Sequence, residues 1–284
     1  MIEKLLFSSL EMPGELIRIF FAVVGTLAVT YFDIFKNRNV PNNLLYSFLL
    51  ISVIISLVFF SPEIFIYSLL QSAIIGIIGF GLYKLGQLGG ADVFVLCSIV
   101  FLLPILPFGA DVLFNFPLLL PILLYGGAAF AIYSVFYFGK LIFHQKNLKP
   151  NYLYLLLLLP YMFFAFIFLN APFFSIIYFF IASLLLLSSI FFLIFRDAIY
   201  SGISEKVLVS TLAPDGDVLA KEKMSSLMKK LKIGPVIEQK ELTILKKAKI
   251  KEVWIYTQLP PFLPFVLIGL IVSLFFGNLI FLIF

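Results

Sequence analysis

The chain is poor in charge, cysteine and histidine, and each shortage closes off a class of function. Only 12% of its 284 residues are charged, against roughly 25% in soluble domains. An ordinary soluble enzyme and a disordered chain are therefore excluded. The single Cys97 permits no intrachain disulfide and no Cys-built metal site. The lone His144 permits no His cluster. It lies in a Lys-rich loop, which also argues against a Ser-His-Asp or Cys-His protease. What the chain has in abundance is apolar surface: 62% hydrophobic residues, with 36 Phe, and a mean hydropathy of +1.13. These residues come in long uninterrupted runs, so the solvent is a bilayer. Most of the Phe residues are expected to face lipid or pack, not to form a cofactor box.

A helix needs about 20 apolar residues to cross a hydrocarbon core of roughly 30 Å. The sequence offers eight candidate spans: 14–32, 43–60, 63–83, 93–107, 116–138, 152–170, 173–195 and 261–283. The fourth is short and contains Pro104 and Pro107, and the sixth is interrupted by Pro160. Asn170-Ala171-Pro172 reads as a tight hairpin between the sixth and seventh. The expected architecture is an all-α polytopic membrane protein. Its membrane domain covers 1–196, a polar module 197–257 and a C-terminal span 258–284.

Positive charge orients the spans. With the N-terminus outside, Lys36, Arg38, Lys84, Lys140, Lys146, Lys149 and the stretch Arg196–Lys251 all fall inside, and only Lys4 and Arg18 fall at the outer side. The pI of about 9.1 therefore reports topology and contact with anionic headgroups. No nucleic-acid partner is expected. Two acids and one Lys precede Pro13, unlike a cleavable signal peptide.

The polar stretch reads as a small cytoplasmic α+β module. Its expected elements are a strand Lys206–Thr211, a turn at Pro214-Asp215-Gly216-Asp217 and a helix 218–231. A helix Glu241–Lys247 and a strand Glu252–Thr257 complete it. Its core is small enough that it should lean on the membrane domain. The turn lacks the following ligand spacing of an EF-hand, and no metal site or cofactor is expected.

A carboxylate inside a membrane costs about 2.5–3.5 kcal/mol on insertion scales and marks function by default. Of 15 acids, Glu3, Glu11, Glu15, Glu63 and Asp111 lie near outer boundaries, and Asp197 and seven others belong to the module. Asp33 and Asp92 remain. Asp33 closes the first span and Asp92 opens the fourth, so both reach the inner face. The plain structural alternative is that Asp92 caps its helix while Asp33 pairs with Lys36 or Arg38. Against it stands Gly89-Gly90-Ala91 before Asp92, small residues that let a second backbone or a substrate strand approach. Two carboxyls sharing a site cannot both ionise readily, which is what an aspartyl protease requires. The helix ends favour charge on Asp92 and the proton on Asp33.

At these residues the chain resembles the archaeal type IV prepilin peptidases, including preflagellin peptidases, membrane aspartyl proteases of the GxGD type. The first matching feature is Asp33 followed by a basic loop closing in Pro41-Asn42. The second is Gly89-Gly90-Ala91-Asp92, with Ala91 where the family has Gly, followed by an apolar helix with Pro104. The third is a last span introduced by Pro260-Pro261-Phe262-Leu263-Pro264-Phe265, with Gly269 and Gly277-Asn278 beyond it. The resemblance implies Asp33 and Asp92 as catalytic residues, supported by Gly89, Gly90, Ala91, Pro41 and Asn42. It implies an aspartic endopeptidase at the cytoplasmic face of the cell membrane that removes short basic leaders from pilin-like or archaellin precursors. The Cys-rich segment of the bacterial, methylating branch is missing, so no methyltransferase activity is expected.

Several residues have simpler readings. Asn42 is expected to cap the second helix, and Ser72, Gly76, Gly79 and Gly81 to form a helix-packing face. Cys97 and His144 are expected to be inert. Two other functions use paired intramembrane acids. One is a presenilin- or signal-peptide-peptidase-like protease, whose acids usually lie on adjacent spans and deeper. The other is a proton-coupled transporter, which would show broken helices and inverted repeats.

Overall fold

The computed structural model describes residues 10–36, 39–107, 117–145, 150–170, 176–212, 217–257 and 259–277. Arg38, Asp111, Lys146, Lys149, Ala171-Pro172, Pro214-Asp215-Gly216 and Asn278 lie outside these. The first helices are α1 (Glu15–Phe35), α2 (Asn42–Val58), α3 (Pro62–Lys84), α4 (Gly90–Leu102) and α5 (Leu119–Phe143). A 3-10 turn, Tyr152–Leu157, leads into α6 (Leu158–Leu169), followed by α7 (Ile176–Ile194) and α8 (Arg196–Ile203). The chain returns to the bundle as α11 (Leu263–Phe276) after the polar module.

By length and composition, four segments can cross a bilayer: Glu15–Phe35, Pro62–Lys84, Leu119–Phe143 and Tyr152–Leu169. A fifth is added if Phe179–Ile194 and Arg196–Ile203, bent by 74° at their junction, form one broken span. The expected eight spans are therefore corrected to four or five among the described residues. Counting apolar residues overstated the number because the chain breaks its runs. The run 93–107 stops as a helix at Leu102, ahead of Pro104. Its 13 residues rise only about 20 Å. Asn42–Val58 and Leu263–Phe276 also fall short among the described residues.

Packing follows from which face each helix keeps small. The buried stripe of α1 is Arg18, Ala22, Thr26, Val29, Thr30 and Asp33, spaced to fall on one side of a 3.6-residue helix. Its large residues Leu16, Phe20, Leu27 and Tyr31 point outward, as they do where lipid is the solvent. α4 is the axis of the bundle: every residue from Asp92 to Leu102 except Phe94 is buried. It packs on α1, α2 and α3, while α11 packs on α1 and α5. α5 and α11 touch backbone to backbone. A Cβ on Gly269 would lie 2.1 Å from the Ile122 carbonyl oxygen, and one on Gly126 2.5 Å from that of Phe265. On α3 the expected packing face is only partly used. Ser72 is buried and Gly79 abuts Val93, but nothing lies near Gly76 or Gly81.

The polar module pairs β1 (Ser204–Leu208) with β2 (Glu252–Tyr256) in antiparallel register, Ser204 opposite Tyr256. Helices α9 (Lys221–Leu231) and α10 (Gln239–Lys247) cover it. The first strand ends before Val209, which starts a short 3-10 turn, and α9 starts later than expected because Val218 and Leu219 form bridges to Val236 and Ile255. Leu219, Ile237, Leu245 and Val253 form the module's core. Lys84, at the end of α3, pairs with Glu238, and Lys221 donates to the Leu85 carbonyl. The module thus rests on the α3–α4 connection. Its other attachment is to α8: the Tyr256 hydroxyl donates to Glu222, which Arg196 approaches at 3.6 Å. Burial, reinforced by Glu222, pushes the Tyr256 phenol well above its usual range.

Candidate active site

Arg18 sets the alignment of the two helices that carry the aspartates. Its guanidinium, on the first turn of α1, donates to the carbonyls of Phe101 and Leu102 at 3.3 and 3.2 Å. The start of α1 therefore meets the end of α4, and the two helices run antiparallel. Asp33, in the last turn of α1, and Asp92, in the first turn of α4, consequently lie at the same end of the bundle. Both are 9% exposed. The polar module rests at this end as well, through Lys84 and Leu85.

Each carboxylate meets a helix N-terminus, where backbone N–H groups have no partner within the helix. Asp92 Oδ2 accepts from the Gly89 N–H at 3.0 Å, so the carboxyl folds back over the start of its own helix. Asp33 Oδ2 accepts from the Leu263 N–H at 3.3 Å, at the start of α11. Phe262 and Phe265 pack on Phe130, and Phe265 also on Tyr133, whereas α5 runs on to Phe143, about 15 Å further. α11 therefore begins short of the end of α5, and its first N–H groups find an acceptor within the protein. Pro264 shortens the list of such donors, having no N–H.

This geometry corrects the expected difference between the two acids. The sequence places Asp33 at a helix C-terminus and Asp92 at an N-terminus. In the fold, α11 brings a second N-terminus to Asp33, so both carboxyls face positive helix ends. That contact joins residues separated by most of the chain, and no local pattern reports it.

The supporting motif residues also sit differently from expectation. Gly89 is the N-cap of α4, with φ −74° and ψ 146°. A Cβ there would lie 2.9 Å from Asp92 Oδ2, so the space beside Gly89 is taken by the aspartate's own carboxyl, not by a second backbone. Gly90 and Ala91 are the first two helical residues. Gly90 has only the Tyr83 ring near it, at 3.5 Å, and Ala91 has no positive φ, so the methyl in place of Gly is accommodated. Asn42 is not the N-cap of α2. Pro41 holds that position with φ −60° and ψ 129°, and its carbonyl accepts from Leu44 and Leu45 at 2.9 and 3.3 Å. The fixed proline φ already suits a helix start, which moves the boundary by one residue.

Among the described residues no group of three His, Cys, Asp or Glu could hold a metal ion. Sequence reasoning missed Arg18, taken for a boundary charge, although its place on the 18–22–26–29–33 stripe was a signal. It also missed Thr30, one turn from Asp33 on that stripe.

Paired acids at one end of a helical membrane bundle suit hydrolysis of a peptide bond, and the comparison with known families agrees with that class. Residues 20–143, from within α1 to the end of α5 and including both aspartates, match the family model of the type IV leader peptidase family. No curated protein and no solved structure matches the chain. The Pro-rich start of α11 lies beyond the matched segment, yet the fold seats it on Asp33.

Proposed function

We propose that the chain is an aspartic-type endopeptidase of the cell membrane in which Asp33 and Asp92 are the catalytic pair. Its substrates are pilin-like or archaellin precursors, whose short basic leaders it removes at the cytoplasmic face. The observation that carries this reading is the burial of both acids at one end of the bundle, inside the leader-peptidase segment. The basic residues around that end, in the α1–α2 loop and the module, support its cytoplasmic orientation. We propose peptidase activity alone, without methyl transfer.

In the reaction the ionised carboxylate takes a proton from water as the water oxygen adds to the scissile carbonyl carbon. The protonated carboxyl donates to the carbonyl oxygen. Collapse of the tetrahedral species breaks the C–N bond, the departing nitrogen takes up a proton, and the products are a carboxylic acid and an amine. The N–H groups of Gly89 and Leu263 orient the two carboxyls and substitute for the water that would solvate them.

The test is cleavage of a precursor with a short Lys-rich leader joined to an apolar helix, in membranes containing wild-type, Asp33→Asn or Asp92→Asn protein. Each variant should accumulate normally and lose roughly 10²–10⁴-fold in rate. Normal processing by either variant removes that residue from the pair.

A further inference from the structure

The buried stripe of α1 carries two hydroxyls with no partner. Thr26 and Thr30 are 0% and 5% exposed, and neither Oγ1 makes a hydrogen bond among the described residues. A helical Ser or Thr can return its hydroxyl to the carbonyl three or four residues earlier. Ser52, Ser68 and Ser98 on the neighbouring helices do so, to Phe48, Ile64 and Phe94. Thr30 forgoes that bond. It precedes Asp33 by one turn, which puts the two Cβ atoms about 5–6 Å apart on one face. Helical side chains lean toward the N-terminus of their helix, so the Asp33 carboxyl leans over the turn that holds Thr30. The Leu263 N–H bond to that carboxyl is long, at 3.3 Å, and catalytic hydrogen bonds commonly tighten only in the substrate complex. A carboxylate accepts several donors, so one from α11 and one from α1 can act together.

We propose that Thr30 is a positioning residue: with substrate bound, its hydroxyl donates to the Asp33 carboxyl and holds it facing Asp92. This rests on Asp33 being one of the catalytic pair. Thr26, a turn further away, has the same burial and chemistry but no reach to Asp33, and serves as the control.

The experiment compares the wild-type chain with Thr30→Val, Thr30→Ser and Thr26→Val in detergent, measuring kcat, KM and thermal melting with the Lys-rich precursor. Val matches Thr in shape and removes only the hydroxyl. Thr30→Val should lower kcat about tenfold or more, leave KM within about twofold, and leave the melting temperature unchanged or raised, since an unpaired buried hydroxyl is lost. Thr30→Ser should recover most of the rate, and Thr26→Val should cleave as wild type. Wild-type kcat in Thr30→Val overturns the proposal. So does an equal loss in Thr26→Val, or a loss that Ser does not rescue and that follows a lowered melting temperature. Normal cleavage by Asp33→Asn, or no cleavage by the wild-type chain, overturns the peptidase reading and this role with it.

Discussion

At one end of the bundle the C-termini of α2 and α4 converge on Arg18; at the other the N-termini of α4 and α11 converge on Asp92 and Asp33. Both arrangements answer the same need, because a helix that ends short of water leaves backbone groups unpaired. The cation meets carbonyls and the anions meet N–H groups, each with the sign that the helix dipole favours. Their degree of closure differs. Arg18 is 1% exposed and makes five hydrogen bonds of 2.8–3.3 Å, to Pro13, Ser56, Phe59, Phe101 and Leu102. The aspartates are 9% exposed, at the rim where the polar module and the loops meet. A charge sealed by that many partners holds the helices together, whereas one at the rim can meet a substrate. Degree of closure, more than position at a helix end, separates the structural charge from the candidate catalytic ones.

The comparison is broken most severely by exchanging charge for apolar volume at either end. Removing a carboxylate should cut cleavage by roughly 10²–10⁴-fold with little loss of protein, as set out above for Asp33→Asn and Asp92→Asn. Arg18→Met should do the reverse. It strands the carbonyls of Phe59 and Leu102, while that of Phe101 keeps the Ser56 hydroxyl. The cost is more than about 3 kcal/mol, which should lower the melting temperature in detergent and the amount of protein in membranes. The fraction that remains folded should still cleave, because Arg18 lies at the end away from the aspartates. A variant with unchanged melting but lost cleavage would make Arg18 part of the site and erase the contrast.

Much of one side of this contrast was legible in the sequence. Asp33 and Asp92 stood out because intramembrane acids are few and the others could be assigned to boundaries or to the module. The long apolar helices were legible for the same reason: their signal is local and continuous. What escaped was non-local. Arg18 reads as a boundary charge until α2 and α4 are seen to end against it, across sequence separations that no periodicity reports. The N–H of Leu263 could not be assigned to Asp33 for the same reason. The span count failed because hydropathy counts residues, whereas crossing needs unbroken helix, and Pro104 ends α4 early. Asn42 lost its capping role to Pro41 by a single position, the usual scale of uncertainty at helix ends.

A finer break lies in Gly89. A Cβ there would press on Asp92 Oδ2 at 2.9 Å. That atom ends a short side chain that can rotate away, so Gly89→Ala should cost little stability, within about 1 kcal/mol. The rotation would take the carboxyl out of its fold-back contact with the Gly89 N–H, and misplacing a reacting group by an ångström can cost about 100-fold. The expected result is a loss of cleavage between about 10- and 100-fold with near-normal melting. Parallel losses of melting and cleavage would assign Gly89 to helix packing instead.

The smallest effect should come from Ala91→Gly. Ala91 is the second helical residue of α4 and has no positive φ, so it does not need glycine's conformational freedom. Its methyl adds to the partly buried surface packed on the main core. Deleting the methyl therefore removes a little packing and some helix propensity, together no more than about 1 kcal/mol. The Asp92 carboxyl keeps its Gly89 N–H contact, so cleavage should stay within about twofold of wild type, a difference of less than about 0.5 kcal/mol in the barrier. Melting and precursor processing measured on the same preparation check this. A large gain in rate would show that the methyl obstructs the approach of substrate to Asp92. A large loss would show that this turn of α4 depends on alanine to hold its first residues helical.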